Sequence, residues 1–285
     1  MSDSENTSDN AAGRIEATLA HRFGEEFKVD PAMDGLDTLA LLAGRRVQRR
    51  YGPHPVDPAL LRLVCACALS APTKSDLQQA DILIVRDRAK HDAIADLLPD
   101  MPWVRTAPAF LVFLANGRRL PRIAALRDKP FPNDHLDAFF NATVDAALVL
   151  ATFVTAANAA GLGCCPISII RNYSPQISAL LELPERVVPI AGMTVGWPSD
   201  QGYVSARLPL AVTVHEDRYD SEAFEREVDG YDRRRAAIHA FRPRDPERWG
   251  VPAFYGWSED KARQYAEPQR GDFGDFVRGK GFRLD

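Results

Sequence analysis

The sequence predicts a mixed α/β fold with a sheet enclosed between helices, on three observations. Continuous apolar runs at 82–85 (ILIV) and 109–115 (AFLVFLA) are short and rich in β-branched and aromatic residues, the pattern of strands covered on both faces. Segments of helical periodicity surround them, the longest being HLDAFFNATVDAALVLATFVTAANAAG, Ala-rich and closed by Gly161. The 285 residues, 46% hydrophobic and 26% charged, supply a full core, which excludes intrinsic disorder, a fibrous repeat and a small disulfide scaffold.

Residues 1–12 are polar and acidic and read as a disordered tail. Ile15, Leu19, Phe23 and Phe27 then recur every four residues, one apolar stripe on a helix that straps a neighbouring surface. A short helix with Asp37 as N-cap follows, so that 13–43 form an N-terminal helical extension ahead of the cluster RRVQRRY at 45–51. Asp57 and Pro58 open the helix ALLRLVCACALSA, which stops before Pro72 and leaves APTKSDLQQ as a loop. A helix over 88–98 separates the first two strands, and an Arg- and Pro-rich loop spans 117–133. CCPISII, VVPIAGMTVGW and LAVTVH are three further strand candidates, with a helix announced by Ser174 and Pro175 between the first two. A domain over 44–218 therefore ends in a segment, 219–285, whose aromatics (Trp249, Phe254, Tyr255, Trp257, Phe273, Phe276, Phe282) require a surface to wrap, its own or a partner subunit's.

Thirty-five basic residues against 39 acidic leave a net charge of −4, without the global field of a nucleic-acid coating protein. The polar, acidic N-terminus lacks the features of a signal peptide, which makes the cytoplasm the default compartment. The longest apolar run, AALVLATFVTAA, is about a dozen residues, short of the ~20 that cross a bilayer, and reads as part of a buried helix. Cys65 and Cys67 on one helix and the adjacent Cys164 and Cys165 have no zinc-site spacing and read as core thiols; the six histidines form no H-x-x-x-H or H-E-x-x-H pattern, so no metal is expected.

Arg45, Arg46, Arg49 and Arg50 place four permanent charges within six residues, which suits a phosphate but equally a solvated basic face. The loop Pro72–Gln78 follows an apolar helix and offers hydroxyl, ammonium, carboxylate and amide groups, a usual setting for a polar ligand. In order along the chain stand R-R-V-x-R-R-Y, A-P-T-x-x-D-x-Q, V-D-A-A with a helix into G-L-G, L-P-x-x-V-x-P-I-x-G-M-x-V-G-W-P, and A-R-L-P. Five pieces in this order resemble the FMN-dependent nitroreductase family, in particular its flavin reductase and oxygen-insensitive nitroreductase branch.

The resemblance implies a central mixed, mainly antiparallel sheet and a homodimer with FMN at the subunit interface, the C-terminal arm wrapping the partner. Position by position, it implies that Arg45 and Arg46 meet the FMN phosphate and that Arg49 reaches the ribityl chain and the N1/O2 edge, where charge develops on reduction. It assigns Thr73, Lys74, Ser75 and Asp76 to the polar loop beside the flavin, and Pro166, Ile167, Ser168 and Ile169 to the stretch flanking the ring. Arg207 matches a second phosphate ligand, and Arg270 a guard of the substrate side. Arg49, Asp76 and Arg270 are thus the candidate catalytic residues.

Several positions depart from the family pattern. Val47 stands where a Ser is usual and Ser205 where a Lys is; Met101 replaces a Gln that contacts the ring, and Ser168 and Ile169 replace two glycines. Asp76 replaces an Asn or an aromatic, and an added carboxylate there disfavours anionic nitroaromatics and favours cationic or hydrogen-bond-donating substrates. The implied reaction is ping-pong: NADPH or NADH gives hydride to the flavin and leaves, and a nitroaromatic, quinone or related electron-poor ring then takes the same face. Reductive dehalogenation or ene reduction fits the same fold, and a non-catalytic flavin-binding protein is the alternative of another class. No G-x-G-x-x-G is present; Arg242, Arg244 and Arg248 suit either a 2′-phosphate of NADPH or ordinary helix capping and solubility.

Overall fold

Four strands form one sheet in the order β1-β2-β4-β3 in the computed structural model, which describes residues 2–285, with side chains from Ala11 onward. β1 (Ala80–Val85) pairs with β2 (Ala109–Asn116), β2 with β4 (Val187–Gly196), and β4 with β3 (Gly163–Ile167), every pairing antiparallel. The apolar runs predicted as strands are therefore strands, and the six inner residues of β2 are buried, as expected for a central strand. β1 lies at an edge and is only half-buried. CCPISII is strand only to Ile167, after which Ser168–Tyr173 winds into a 3-10 segment.

By its internal contacts the chain divides into two compact units: residues 47–202 with 270–285, and residues 1–46 with 203–269. The first carries the sheet. On one face lie helix α3 (Pro58–Leu69), capped by Asp57 with Pro58 at its first position, and the long helix Leu136–Ala159. Ala142, Ala146, Phe153 and Ala157 of the long helix are fully buried, and Phe153 meets Phe113 of β2 edge-on at 5.4 Å. On the other face His91 stacks on Phe110 at 5.6 Å, beside Ile94, Ile170 and Ile177. The C-terminal residues return to the face of the long helix: Val277 and Phe282 are buried in its core, Phe282 meets Phe139 at 5.2 Å, and the Phe282 ring lies where a Cβ on Gly117 would come within 2.3 Å of it.

The long helix departs from the sequence expectation. Its 24 residues are long and apolar enough to cross a membrane, where the run of about a dozen is not, yet one side of it is the core of this unit. Nor is it buried all round: Leu136, Phe140, Val144 and Leu148, four residues apart, form an exposed apolar stripe. Of the cysteines, Cys65, Cys164 and Cys165 are core thiols but Cys67 is exposed, because positions two apart on a helix face different ways.

The second unit is helical among the described residues. α1 (Ser2–Phe23) packs on α2 (Leu36–Ala43) through Ala11, Ala12, Ile15 and Leu36. The expected disordered tail falls largely on residues whose side chains lie outside those described; Ala11 and Ala12 at its end are buried. Phe27 lies beyond the helix and reaches Phe23 at 6.0 Å, because Gly24, at φ 78°, ends α1. Asp37 stands in the first turn of α2, whose N-cap is Gly35. LAVTVH, expected as a strand, is instead one helical turn, Leu210–Thr213, with the Val214 amide closing on the Leu210 carbonyl at 2.7 Å. Helices Ala223–Ile238 and Trp257–Tyr265 join through Tyr231 and Trp257, 5.2 Å apart, and through Asp232, which accepts from the Ser258 amide at 2.9 Å.

Candidate functional site

Arg45, Arg46 and Arg207 gather around a fourth arginine that the sequence reading did not single out. Arg22, near the end of α1, is 5% exposed, and its guanidinium donates to the carbonyls of Ala43 at 2.6 Å, Ser205 at 3.0 Å and Arg45. Burial first, and then the charges of Arg207, Arg45 and Arg46, pull its pKa down to about 10. Arg207 donates to the Ser205 hydroxyl at 2.7 Å, so Ser205, in the place of a lysine, orients a cation rather than supplying one. Four guanidiniums gathered in this way concentrate positive charge, and the donor set fits a phosphate. Arg22, Arg45 and Arg207 also line one end of an apolar cavity of about 470 Å³ between α1 and α2.

From Val47 the chain continues without helix or strand to Tyr51, which bridges to Pro198. Val47 packs against the core beside β2, an apolar role that accounts for the missing hydroxyl. Gln48 donates its amide to the Cys164 carbonyl at 3.0 Å, and the Tyr51 hydroxyl donates to the Gln48 carbonyl at 2.7 Å and meets Thr194 Oγ1 at 2.8 Å. Burial pushes the Tyr51 phenol above its ordinary range, so it stays protonated as a structural donor. Tied down on both sides, Arg49 stands exposed with its guanidinium 5.4 Å from the Trp103 ring centroid. Met101 lies in the turn before Trp103 and packs on the core. Pro166 and Ile167 end β3, Ser168 is exposed and Ile169 half-buried at the start of the 3-10 turn. Arg270, at φ 57°, holds Asn172 Oδ1 at 2.7 Å, next to that same turn.

The loop Thr73–Gln78 is pinned by a buried carboxylate. Asp145, 1% exposed within the long helix, accepts from Thr73 Oγ1 at 2.5 Å and from the amides of Lys74 at 3.2 Å and Gln79 at 3.0 Å. Thr73 thus acts inward, and what the loop presents is Lys74, Ser75 and Asp76. Ser75, Asp76 and Gln78 all have positive φ, between 50° and 56°, a tight fold that the three bonds to Asp145 sustain. The Asp76 carboxylate accepts from Gln78 Nε2 at 2.9 Å. Clefts of about 480 and 610 Å³ flank the loop, the smaller lined by Asp76 and the larger by Lys74 and Ser75. At the wall of the larger cleft Gln79 is buried with both amide atoms unpartnered. Sequence reasoning missed Asp145 and Gln79 as well as Arg22. A lone acid on an apolar helix face was the available signal for Asp145; Arg22 and Gln79 carried none.

Of the arginines that suit a 2′-phosphate or ordinary helix capping and solubility, Arg244 donates to the buried Asp260 at 2.8 Å, and Arg248 pairs with Glu267. Among the described residues no cluster of His, Cys, Asp and Glu is placed to hold a metal.

Residues 42–197 match the Nitroreductase family, and residues 205–285 match the Nitroreductase family, C-terminal domain. The FMN reductase [NAD(P)H] of Bacillus subtilis is 27% identical to the chain, covering 87% of it and 99% of its own length. The oxygen-insensitive NADPH nitroreductase of Salmonella typhimurium is 34% identical over 64% of this chain and 74% of its own. In structure, the chain resembles B. megaterium NfrA2, with a TM-score of 0.79 at 28% identity over 87% of this chain and 99% of that one. The ordered motifs, the antiparallel sheet enclosed by helices and the family matches over most of the length agree, and the chain belongs to the nitroreductase family.

Proposed function

We propose that this protein is an FMN-dependent NAD(P)H oxidoreductase of electron-poor aromatic substrates. The observation that carries the proposal is the arginine cluster of Arg22, Arg45, Arg46 and Arg207, in which the charges of the other three act on the buried Arg22, a concentration of guanidiniums suited to a flavin phosphate. FMN, when bound, passes two electrons from the nicotinamide donor to an acceptor in alternate half-reactions. The chain supplies binding, orientation and charge. Arg45, Arg46 and Arg207 hold the phosphate. Arg49, exposed beside the Trp103 ring, serves the pyrimidine edge of the flavin ring, where negative charge develops on reduction. Pro166, Ile167, Ser168 and Ile169 flank the ring with Met101. Thr73, Lys74, Ser75 and Asp76 form the polar loop beside it, and Arg270 guards the substrate side.

The working form is a homodimer with FMN at its interface. The exposed stripe of Leu136, Phe140, Val144 and Leu148 supports this, since four large apolar residues in a line are costly to leave in water. The organisation into an N-terminal extension (13–43), an FMN-binding domain (44–218) and a C-terminal arm (219–285) belongs to the same proposal.

The test is the visible spectrum of the purified protein under anaerobic conditions, before and after NADPH or NADH. A yellow protein whose flavin band bleaches within the mixing time supports the assignment. A yellow protein that does not bleach is a flavin-binding protein without turnover, and a colourless one that FMN cannot reconstitute sinks both readings. Product analysis with matched nitro- and halo-aromatics separates nitro reduction from dehalogenation. Asp76→Asn, compared with the unaltered protein on a cationic and an anionic nitroaromatic, shifts preference toward the anion; an unchanged ratio removes Asp76 from specificity.

A further inference from the structure

We infer that Arg22 is a positioning residue for the flavin phosphate, and that through it the N-terminal helix α1 and FMN hold each other in place. The inference rests on the phosphate assignment of Arg45, Arg46 and Arg207. α1 lies outside both family-matched segments, 42–197 and 205–285, so nothing in those matches gives it a role.

The geometry is that of a clamp. One guanidinium, rigid and planar, donates to the Ala43 and Arg45 carbonyls on one segment and to the Ser205 carbonyl on another. These two segments bear the phosphate arginines. The reverse contacts close the clamp: the Arg207 amide donates to the Arg22 carbonyl at 2.6 Å, and His21 Nε2 donates to the Val204 carbonyl at 3.0 Å. Arg234 spans the same pair, donating to the Arg22 carbonyl at 2.6 Å and the Arg207 carbonyl at 2.8 Å. Removal of Arg22 leaves the Arg45 and Arg207 side chains intact but frees the backbone that aims them.

The charge acts in the same direction. Arg22 is buried among like charges, with the carbonyls at the C-terminal end of α2 as its partial compensation. A phosphate dianion brought to Arg45, Arg46 and Arg207 relieves that repulsion and stabilises the docked helix; by linkage, a docked helix strengthens phosphate binding by the same factor.

The experiment compares FMN with riboflavin, which has the same ring and no phosphate. On apoprotein, flavin fluorescence titration of Arg22→Gln shows FMN affinity reduced about 10- to 100-fold, the usual effect of losing a residue that orients direct ligands, with riboflavin affinity unchanged; Arg22→Lys recovers part of the loss. Equal losses for both flavins, or no loss, overturn the inference. Arg46→Ala and Arg207→Ala report on the underlying assignment: if they too leave FMN affinity intact, the phosphate reading itself falls, whereas their loss beside an unaffected Arg22→Gln removes only the positioning role. A measurement that needs no variant covers the case in which Arg22→Gln fails to fold. Amide exchange across residues 11–23 of the unaltered protein slows on adding FMN and not on adding riboflavin, and equal protection by both flavins, or by neither, counts against the coupling.

Discussion

A single buried carboxylate organises the loop proposed to lie beside the flavin. Asp145 accepts three hydrogen bonds from the loop and the residue that follows it, and each of those donors is left without a partner when the carboxylate is removed. Asp145→Ala is expected to cost about 3 kcal/mol of stability, the order of a few charge-assisted bonds lost with their donors left buried, whereas Asp145→Asn costs less; urea denaturation measures both. His91 sets a pH dependence. It is buried, donates Nε2 to the Val104 carbonyl at 2.7 Å and is held below its ordinary value of 6.5, chiefly by burial. The folded protein therefore keeps His91 neutral while the unfolded chain takes up a proton. Stability is complete above pH 6.5 and declines as the pH falls from there toward the lowered folded value. The urea midpoint should drop between pH 7.5 and pH 5.5, and His91→Gln should flatten that drop.

At the scale of elements, the long helix shows how one amphipathic segment serves two surfaces. Small residues, Ala142, Ala146 and Ala157, let it lie close against the sheet, and large ones, Leu136, Phe140, Val144 and Leu148, line its outer side. Phe140 is 60% exposed, the most exposed of that stripe. Phe140→Glu, which places a charge in the proposed dimer contact, should shift the protein from dimer to monomer in light scattering at micromolar concentration. An unchanged dimer would assign the interface elsewhere. Loss of the dimer together with flavin is expected if FMN sits at that interface. α1 carries the same lesson in another form: its apolar stripe was readable from Ile15, Leu19 and Phe23, but Arg22, beside that stripe, drew its meaning from the segments it meets.

At the scale of the molecule, the family and the cofactor were legible because their residues lie in short, ordered motifs whose chemistry is local. The arginine run, the polar loop after an apolar helix and the strand patterns each depend on neighbours in sequence, and Asp57 with Pro58 started a helix as their chemistry requires. What failed to show were interactions across long separations: Asp145 with the loop 72 residues before it, and Arg22 with Ser205, 183 residues away. LAVTVH failed for a related reason. Its β-branched residues suit a strand, but the unit that holds it has no strand to pair with among the described residues, and the backbone turned on its own carbonyls instead. Periodicity, caps and motif spacing are properties of adjacent residues, and they were enough for the mixed α/β class, the family and the residue types offered to FMN. Folding in three dimensions was needed to settle which arginine ties the segment of Arg45 to that of Ser205, which carboxylate shapes the loop and which side of the long helix stays bare, because burial and charge compensation arise only when distant segments meet.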